Sequence, residues 1–491
     1  MIPNTSAISR PARLSLYETT NGKRVAAFVV LIGFAALIGK MIASEQWLYV
    51  GVLGVIIVAL QWPLEAALGI YAFLIPFESL MAYGHGQNAT TINWLVGAAS
   101  GMALLAKGVA TKRLSWPGRP ALWWSLFLAW AVLSTLWALQ PAAAMHLLPT
   151  VVSVALLYLV AVSWKITKRE FKVLTAWMVL GGCIAAGFTA YEFSQGITWS
   201  SFLGSSGRAS LVVGGREVNP NSLATDLLLP FSFAVSLFFT ARRWPQALLG
   251  IGATGIIASA VYLTMSRTSL LGLAVVICVY LVRVRLQRRT LAIASILVLV
   301  ALAMPAAFFS RVSESLADRG SGRLDIWSVG LVMVKHYGVT GVGLANFQVA
   351  YTNFAGHASR FFGYGRGAHN MYLEVAVEFG VVGMILLLAA LVSNLRVLWQ
   401  AQTAHERRPM YLVAVEASCW AAIVAQFFAG ETFAKSLWFT WTVCLMAAKL
   451  AQQEKEAAPG ETTSYSPIAA MRSAGTATAN STYRFSCRDY C

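Results

Sequence analysis

The chain consists mostly of apolar runs long enough to cross a lipid bilayer, separated by short polar connections. A bilayer core of roughly 30 Å needs about 20 apolar residues in a helix. Because backbone groups inside a membrane must be hydrogen-bonded within the protein, such runs predict α-helices that pack as a bundle. The composition agrees, since 58% of the 491 residues are hydrophobic and only 12% are charged. These features predict an all-α, polytopic membrane protein without a large soluble domain.

Hydropathy predicts about 14 spans, and two connections are so short that 12 or 13 would also fit. The first apolar run lacks a small-residue cleavage site after it, which favours a retained helix over a signal peptide. The predicted spans cover approximately residues 25–42, 47–61, 64–82, 91–107, 120–138, 146–164, 171–194, 222–240, 245–265, 268–286, 290–309, 369–396, 411–429 and 434–450.

Positive charge orients the predicted spans. If residues 1–24 form a cytoplasmic tail, most short basic loops fall on the cytoplasmic side, as the positive-inside rule requires. The Ala/Ser/Thr-rich tail at 451–491 then also lies in the cytoplasm and is predicted to be disordered. Topology therefore accounts for most of the net charge of +17, and no nucleic-acid partner is predicted. The basic loops on this side are 107–119, 165–172, 241–244, 283–289 and 396–408.

Residues 310–368 are the one long interruption between apolar runs. They predict a large periplasmic loop between a transmembrane bundle at 25–309, which has its own outer loop at 195–221, and C-terminal helices at 369–450. Arginines on this face oppose the topogenic rule, which favours an anionic ligand. Contact with lipid phosphates or local carboxylates is the alternative. The outer arginines are Arg208, Arg216, Arg267, Arg311, Arg319, Arg323, Arg360 and Arg366.

Two stretches of the long loop carry candidate chemistry. Gly322 to His336 predicts a short amphipathic helix at the membrane surface, with Ser321 as N-cap and Arg323 in the first turn, where free backbone N–H groups favour an anion. His369 opens the next predicted helix and can exchange a proton near neutral pH. Glu374 and Glu378 share one face of that helix, but they lie about 140–180° around it from His369 and are not predicted as its partners.

An arginine group and one histidine at the membrane surface suit glycan transfer from a lipid diphosphate. Guanidinium groups would hold the two phosphates as the sugar C1 departs, and the histidine would take the proton of the attacking hydroxyl. The outer loops contain neither a nucleotide-binding glycine motif nor a carboxylate pair suited to a metal. No cofactor is predicted, and we expect a metal-independent mechanism.

Three segments give the chain a resemblance to the O-antigen ligase/polymerase superfamily of bacterial envelope enzymes. They read SGRLDIW at 321–327, HYGVTGVGLANF at 336–347 and AHNMYLEVAVEFGVVG at 368–383. Weaker matches are Gly207-Arg208 followed by Asn219-Pro220-Asn221, and Ser266-Arg267. Tyr337 stands where the family has a proline, and Arg208 lies further from Asn-Pro-Asn than usual, with Arg216 between them.

The resemblance implies an inner-membrane, inverting glycosyltransferase whose site faces the periplasm and uses undecaprenyl-diphosphate-linked glycans. Arg323 would bind the diphosphate together with Arg267 or Arg208, with Arg216 a further candidate, and His369 would activate the acceptor hydroxyl. The expected acceptor is lipid A-core, which implies an O-antigen ligase. Polymerisation of O-antigen or exopolysaccharide onto a growing chain and transfer to a protein hydroxyl stay open. A transporter or flippase of lipid-linked saccharides is the alternative from another class.

Overall fold

The computed structural model describes residues 58, 60–83, 90–91, 93–201, 204–205, 207–213, 216–284, 322–360, 363–405 and 408–457. Helices connected by short turns make up nearly all of this part of the chain, which confirms the predicted helical membrane bundle. The predicted spans at 25–42 and 290–309, the N-terminal tail at 1–24 and most of 47–61 lie outside the described residues.

The α-helices are α1 Gly69–Leu74, α2 Asn93–Ala110, α3 Arg119–Leu133, α4 Pro141–Ser163, α5 Lys168–Ser194, α6 Pro220–Asp226, α7 Leu228–Thr240, α8 Trp244–Leu263, α9 Arg267–Arg283, α10 Arg323–Tyr337, α11 Phe347–Phe354, α12 Met371–Glu378, α13 Gly380–Thr403, α14 Met410–Ala425 and α15 Lys435–Ala457. A π-helical turn at Pro63–Leu68 precedes α1, and 3-10 turns cover Ile75–Met81, Ser134–Trp137 and Ala355–His357. Three two-residue antiparallel pairings join β1 Ala82–Tyr83 to β2 Thr90–Thr91, β3 Ser200–Ser201 to β4 Gly204–Ser205, and β5 Val212–Val213 to β6 Arg216–Glu217.

Within the described residues, six helical segments are long and apolar enough to cross a membrane, and two shorter apolar helices, Val96–Ala110 and Met410–Ala425, accompany them. α15 covers the span predicted at 434–450 and continues to Ala457, so the first residues of the predicted tail are helical. The six long segments are Arg119–Trp137, Pro141–Ser163, Lys168–Ser194, Pro220–Thr240, Trp244–Leu263 and Gly380–Thr403.

The bundle core is rich in aromatic side chains. Trp124 of α3 packs against Trp438 of α15, with ring centroids 4.8 Å apart, and against Tyr158 of α4 at 6.4 Å. Phe127, one helical turn after Trp124, meets Phe379 edge to face at 5.7 Å. Such pairs add attraction beyond the burial of their surface. They hold α3, α4, α15 and the junction of α12 and α13 together.

Two of the predicted basic loops, 107–119 and 165–172, contact each other. Ser115 N–H donates to the Ser163 carbonyl at 2.7 Å, and Lys165 N–H donates to the Arg113 carbonyl at 2.8 Å. Arg113 also forms an ion pair with Glu170 at 2.7 Å. Lys168 pairs with Glu454 on α15 at the same distance.

Three candidate site residues lie at the N-terminal ends of other helices. Arg267 begins α9, Arg323 begins α10, and His369 lies two residues before α12. At the opposite end of α9, Arg283 forms an ion pair with Glu416 of α14.

The predicted long helix from His369 onward is interrupted. α12 ends at Glu378 and α13 begins at Gly380, which has φ +64°. A side chain at Gly380 would collide with the Val339 carbonyl of the preceding loop, so glycine is needed for both the backbone angle and the close contact. Hydropathy runs unbroken across this point, which explains why a single span was predicted.

The predicted helix in the long loop is present, but its start differs. α10 begins at Arg323, and its N-cap is Gly322 in the left-handed conformation (φ 76°), without a side-chain cap, so the Ser321 cap prediction is wrong. Glycine takes this conformation without the steric cost of a Cβ. α10 and α11 enclose a small hydrophobic core of their own with the start of α12, and its centre is Val329, Met333 and Tyr351. The loop region is therefore folded onto the bundle.

Candidate active site

Arg267, Arg323 and His369 stand at the starts of three helices. Arg267 is the first residue of α9, Arg323 is the first residue of α10, and His369 lies two residues before α12. The first backbone N–H groups of a helix and the helix dipole give such ends a partial positive charge. Side-chain and backbone charge therefore have the same sign here, which suits an anionic ligand.

Electrostatic interactions link these three side chains and Arg366 into one group. Burial lowers the pKa of Arg323, and the charge of Arg267 lowers it further. The pKa of His369 falls below its ordinary value of 6.5 through burial and through the charges of Arg323 and Arg366. The structure thus brings together the predicted residues Arg267, Arg323 and His369, and adds Arg366. We call these four residues the basic cluster.

The backbone of His369 has an uncommon conformation, with φ +48°. For a residue with a Cβ this left-handed conformation costs roughly 1–2 kcal/mol. Neighbouring contacts hold it in place. The Ala368 carbonyl accepts a hydrogen bond from Trp327 Nε1 at 2.9 Å, and Asn370 caps α12 by accepting from Leu373 N–H at 3.0 Å. His369 as a whole residue is nevertheless partly open to solvent, so it can meet a substrate.

A comparison with protein families identifies the region that holds the basic cluster. Residues 252–388 match the Wzy_C family model, described as O-antigen ligase. This segment matches an O-antigen ligase domain, and we call residues 252–388 the ligase domain. The match confirms the resemblance seen in the sequence and supports a multi-pass membrane enzyme of the ligase/polymerase type, acting in general on lipid-linked glycans. No curated protein matches the chain.

Arg208 lies outside the ligase domain and contacts the turn that carries Arg267. Its side chain is only 8% exposed. Nε donates to the Thr264 carbonyl at 2.8 Å, and Nη2 donates to Asn221 Oδ1 at 2.7 Å. The guanidinium also lies 5.7 Å from the Trp199 ring. These contacts make Arg208 a support for the Arg267 turn, while Arg267 itself is exposed next to Arg323.

Arg216 lies in β6, whose backbone pairs with Val213 in β5. Its side chain is outside what the structure describes, so its part in binding a diphosphate stays a prediction. Among the described residues, no group of three His, Cys, Asp or Glu side chains could hold a metal ion. The metal independence of the reaction likewise stays a prediction.

Glu374 and Glu378 contact residues other than His369, in agreement with their predicted positions around the helix. The sequence did not predict which residues these are. Glu378 Oε1 and Oε2 accept hydrogen bonds from Phe347 N–H at 3.0 Å and Ala345 N–H at 3.1 Å. Glu378 thereby holds the glycine-rich loop 338–346 of the ligase domain against α12. Burial raises its pKa well above the ordinary range, and the charge of Glu374 adds to this effect.

The connection between α14 and α15, residues 426–434, is the part of the site that sequence reasoning missed. We call it the 426–434 loop. The Gln426 carbonyl accepts from Met371 N–H at 2.9 Å, and Glu374 Oε2 accepts from Thr432 Oγ1 at 2.9 Å. Ser222 Oγ donates to Glu431 Oε1 at 3.1 Å. Its only sequence signal is a Gly-Glu-Thr triplet between two apolar runs, and this pattern is common in turns.

Acidic side chains lie near Glu431 of the 426–434 loop. Glu78 forms an ion pair with Lys435 at the start of α15. Asp226, the last residue of α6, is hydrogen-bonded to Ser436 and lies near Glu78 and Glu431. Asp226 lies within the span predicted at 222–240. In the structure it takes part in this polar contact between α6 and α15.

Proposed function

We propose that this protein transfers a glycan from undecaprenyl diphosphate to an acceptor hydroxyl at the periplasmic face of the inner membrane, with lipid A-core as the acceptor. The observation that carries the proposal is the basic cluster, three arginines and one histidine at the same end of the bundle inside an O-antigen ligase domain. A transporter or flippase of lipid-linked saccharides would instead need ionisable residues near the middle of several spans.

The donor diphosphate would bind Arg267 and Arg323. Guanidinium groups form paired hydrogen bonds with phosphate oxygens, and their charge stabilises the negative charge that grows when the bond from C1 to the phosphate oxygen breaks. By analogy with single oxyanion donors, each such arginine contributes about 3 kcal/mol. Of the two arginines, Arg323 is the better supported as a ligand of the diphosphate, since both Arg267 and His369 lie beside it.

His369 would act as the general base. The acceptor oxygen attacks C1 from the face opposite the diphosphate, its proton passes to the imidazole, and undecaprenyl diphosphate leaves, which inverts the anomeric carbon. Burial and the charges of Arg323 and Arg366 keep the pKa of His369 low, so the imidazole is neutral and ready to accept a proton near pH 7. The negative diphosphate beside it then stabilises the imidazolium that forms.

The experiment that tests this function uses purified protein in liposomes with a polyprenyl-diphosphate oligosaccharide, with and without lipid A-core. Glycan on the lipid core establishes a ligase, and longer donor-linked chains without lipid core establish a polymerase. Modification of an added acceptor protein establishes a protein O-oligosaccharyltransferase. His369→Ala is the inactive control, and a chelator tests metal independence. Absence of every product, with donor and acceptor verified by a known enzyme, refutes the proposal.

Orientation is tested separately by cysteine labelling in a variant whose six native cysteines are replaced. Tyr364→Cys, near the basic cluster, should react with an impermeant reagent added to intact spheroplasts. Thr403→Cys, at the end of α13, should react only after the membrane is opened. The reverse pattern would place the site in the cytoplasm.

A further inference from the structure

The strained backbone of His369 is enclosed by two elements. On one side, α10 contributes the hydrogen bond from Trp327 Nε1 to the Ala368 carbonyl. On the other side lies the 426–434 loop, which is outside residues 252–388 of the ligase domain. The two elements belong to distant parts of the chain and meet only in the folded protein.

Gly430 packs directly against the backbone of His369. A Cβ at position 430 would lie 2.7 Å from the His369 backbone nitrogen, 3.0 Å from its Cα and 3.1 Å from the Asn370 nitrogen. All three atoms belong to the backbone, so a flexible side chain cannot move aside to make room. Only glycine lets the loop approach the histidine this closely.

Hydrogen bonds fix the loop on both sides of that contact. The Gln426 carbonyl accepts from Met371 N–H at 2.9 Å, and the Thr432 hydroxyl donates to Glu374 at 2.9 Å. Two ring contacts accompany them, Phe427 with Tyr372 at 4.7 Å and Phe428 with Trp327 at 6.3 Å. The loop therefore holds the segment from His369 to Glu374 along its whole length.

We propose that the 426–434 loop is a positioning element of the active site, and that Gly430 sets the place and direction of the His369 imidazole. The proposal rests on the proposed function, in which His369 is the base. A base displaced by about 1 Å can lose about 100-fold in rate without any loss of substrate binding. Gly430 touches no reacting atom, so its effect passes through His369.

The first experiment compares Gly430→Ala with Gly356→Ala in the full-length protein. Gly356 has no atom within 4 Å of the position of an added Cβ, so its substitution is a matched control for the change of glycine to alanine. Gly430→Ala should lower kcat at least about 10-fold while KM for the lipid-diphosphate donor stays within about 3-fold. Gly356→Ala should keep both constants near wild type. Equal kcat in the two variants would overturn the proposal.

Thr432→Val is the second variant, because Gly430→Ala can also impair folding. Valine has nearly the volume of threonine but cannot donate to Glu374, so it loosens one end of the loop without adding bulk. It should lower kcat with little change in donor KM. An unchanged kcat in a normally folded Thr432→Val protein, together with loss of folding in Gly430→Ala, would make the loop merely structural and refute the proposal.

A rescue experiment separates positioning from general damage. In His369→Gly the strained side chain is absent, and added imidazole can serve as a freely diffusing base. Addition of Gly430→Ala to this variant should leave the imidazole-rescued rate within about 2-fold, because there is no longer a fixed histidine to displace. If Gly430→Ala instead lowers the rescued rate by the same factor by which it lowers kcat in the protein that retains His369, Gly430 does not act through His369.

Chemical modification of His369 distinguishes failure of this proposal from failure of the proposed function. With the other five histidines replaced, the rate of reaction with diethyl pyrocarbonate against pH reports the state of His369 without any substrate. Gly430→Ala should shift this profile, and Gly356→Ala should not. A shift in a protein that transfers no glycan keeps the positioning role and refutes the function. If wild type transfers glycan but Gly430→Ala changes neither the modification profile nor kcat, the positioning role alone is refuted.

Discussion

Arg267 lies close enough to Arg323 for its charge to lower the pKa of the Arg323 guanidinium. Two like charges that repel each other in the absence of ligand favour binding of an anion that neutralises both. The two arginines stand at the starts of different helices, α9 and α10. Repulsion between them therefore acts across the junction of the membrane bundle with the folded loop region.

Inorganic pyrophosphate should stabilise the purified protein through this pair. At a concentration about 100-fold above its Kd, a ligand that binds only the folded state stabilises it by about 2.7 kcal/mol. Thermal unfolding with and without pyrophosphate measures the effect, and added salt should weaken it. Arg323→Ala should abolish the shift. Arg243→Ala, at the far end of α8, should keep it. An equal shift in both variants would disprove the site.

The pH dependence of transfer should follow His369. The neutral imidazole is the base, so activity is lost as the pH falls through its pKa, which lies below 6.5. Removal of a neighbouring positive charge raises that pKa. Arg366→Gln should therefore move the acid limb of kcat/KM to higher pH, whereas Arg360→Gln in the same loop serves as the control and should leave it in place. A limb that does not respond to Arg366 would assign the base to another residue.

Local sequence patterns named Arg267, Arg323 and His369 as candidates, but neither Arg366 nor the residues that support the basic cluster. Arg323 and His369 stand in short motifs at helix starts, so their placement followed from local sequence. The choice between Arg208 and Arg267 could not be made from sequence, because it depends on hydrogen bonds of Arg208 to Thr264 and Asn221 across the fold. The 426–434 loop was missed for the same reason.

Stability should fall as the pH rises through the range in which Glu374 ionises. The pKa of Glu374 is raised to about 7, mainly by burial. Hydrogen bonds from Thr432 oppose this rise, and the nearby charge of Glu431 adds to it. The folded protein thus binds more protons than the unfolded chain between about pH 4.5 and about pH 7, so stability decreases with rising pH in that window. Glu378, whose pKa is also raised, adds a slope of the same sign.

Thermal midpoints at about pH 5 and about pH 7.5 measure this slope. Glu374→Gln should flatten it, because glutamine can still accept from Thr432 but does not ionise. Glu456→Gln, at the exposed end of α15, should retain the wild-type slope. Identical slopes in the three proteins would show that Glu374 does not ionise in this range.

Loss of the Glu378 side chain should destabilise the protein. In Glu378→Ala the Phe347 and Ala345 N–H groups lose their acceptor, and each buried donor without a partner costs about 1–3 kcal/mol. Glu378→Gln keeps one carbonyl oxygen and should fall between alanine and wild type. Thermal or denaturant unfolding measures the order, with Glu456→Ala expected within about 0.5 kcal/mol of wild type. A Glu378→Ala protein as stable as the control would contradict the assignment.

The stability of the folded protein should depend on the ion pair between the buried Lys435 and Glu78. The Lys435 side chain is 2% exposed, and Lys435 opens α15, where the helix dipole disfavours a cation. Lys435 forms its ion pair with Glu78, and Asp226 lies nearby. Lys435→Met leaves Glu78 without its cation and should cost about 3 kcal/mol or more. The double variant with Glu78→Gln removes the uncompensated charge, so it should be more stable than Lys435→Met alone in thermal unfolding. A double variant whose loss equals the sum of the single losses would mean that the two side chains act independently.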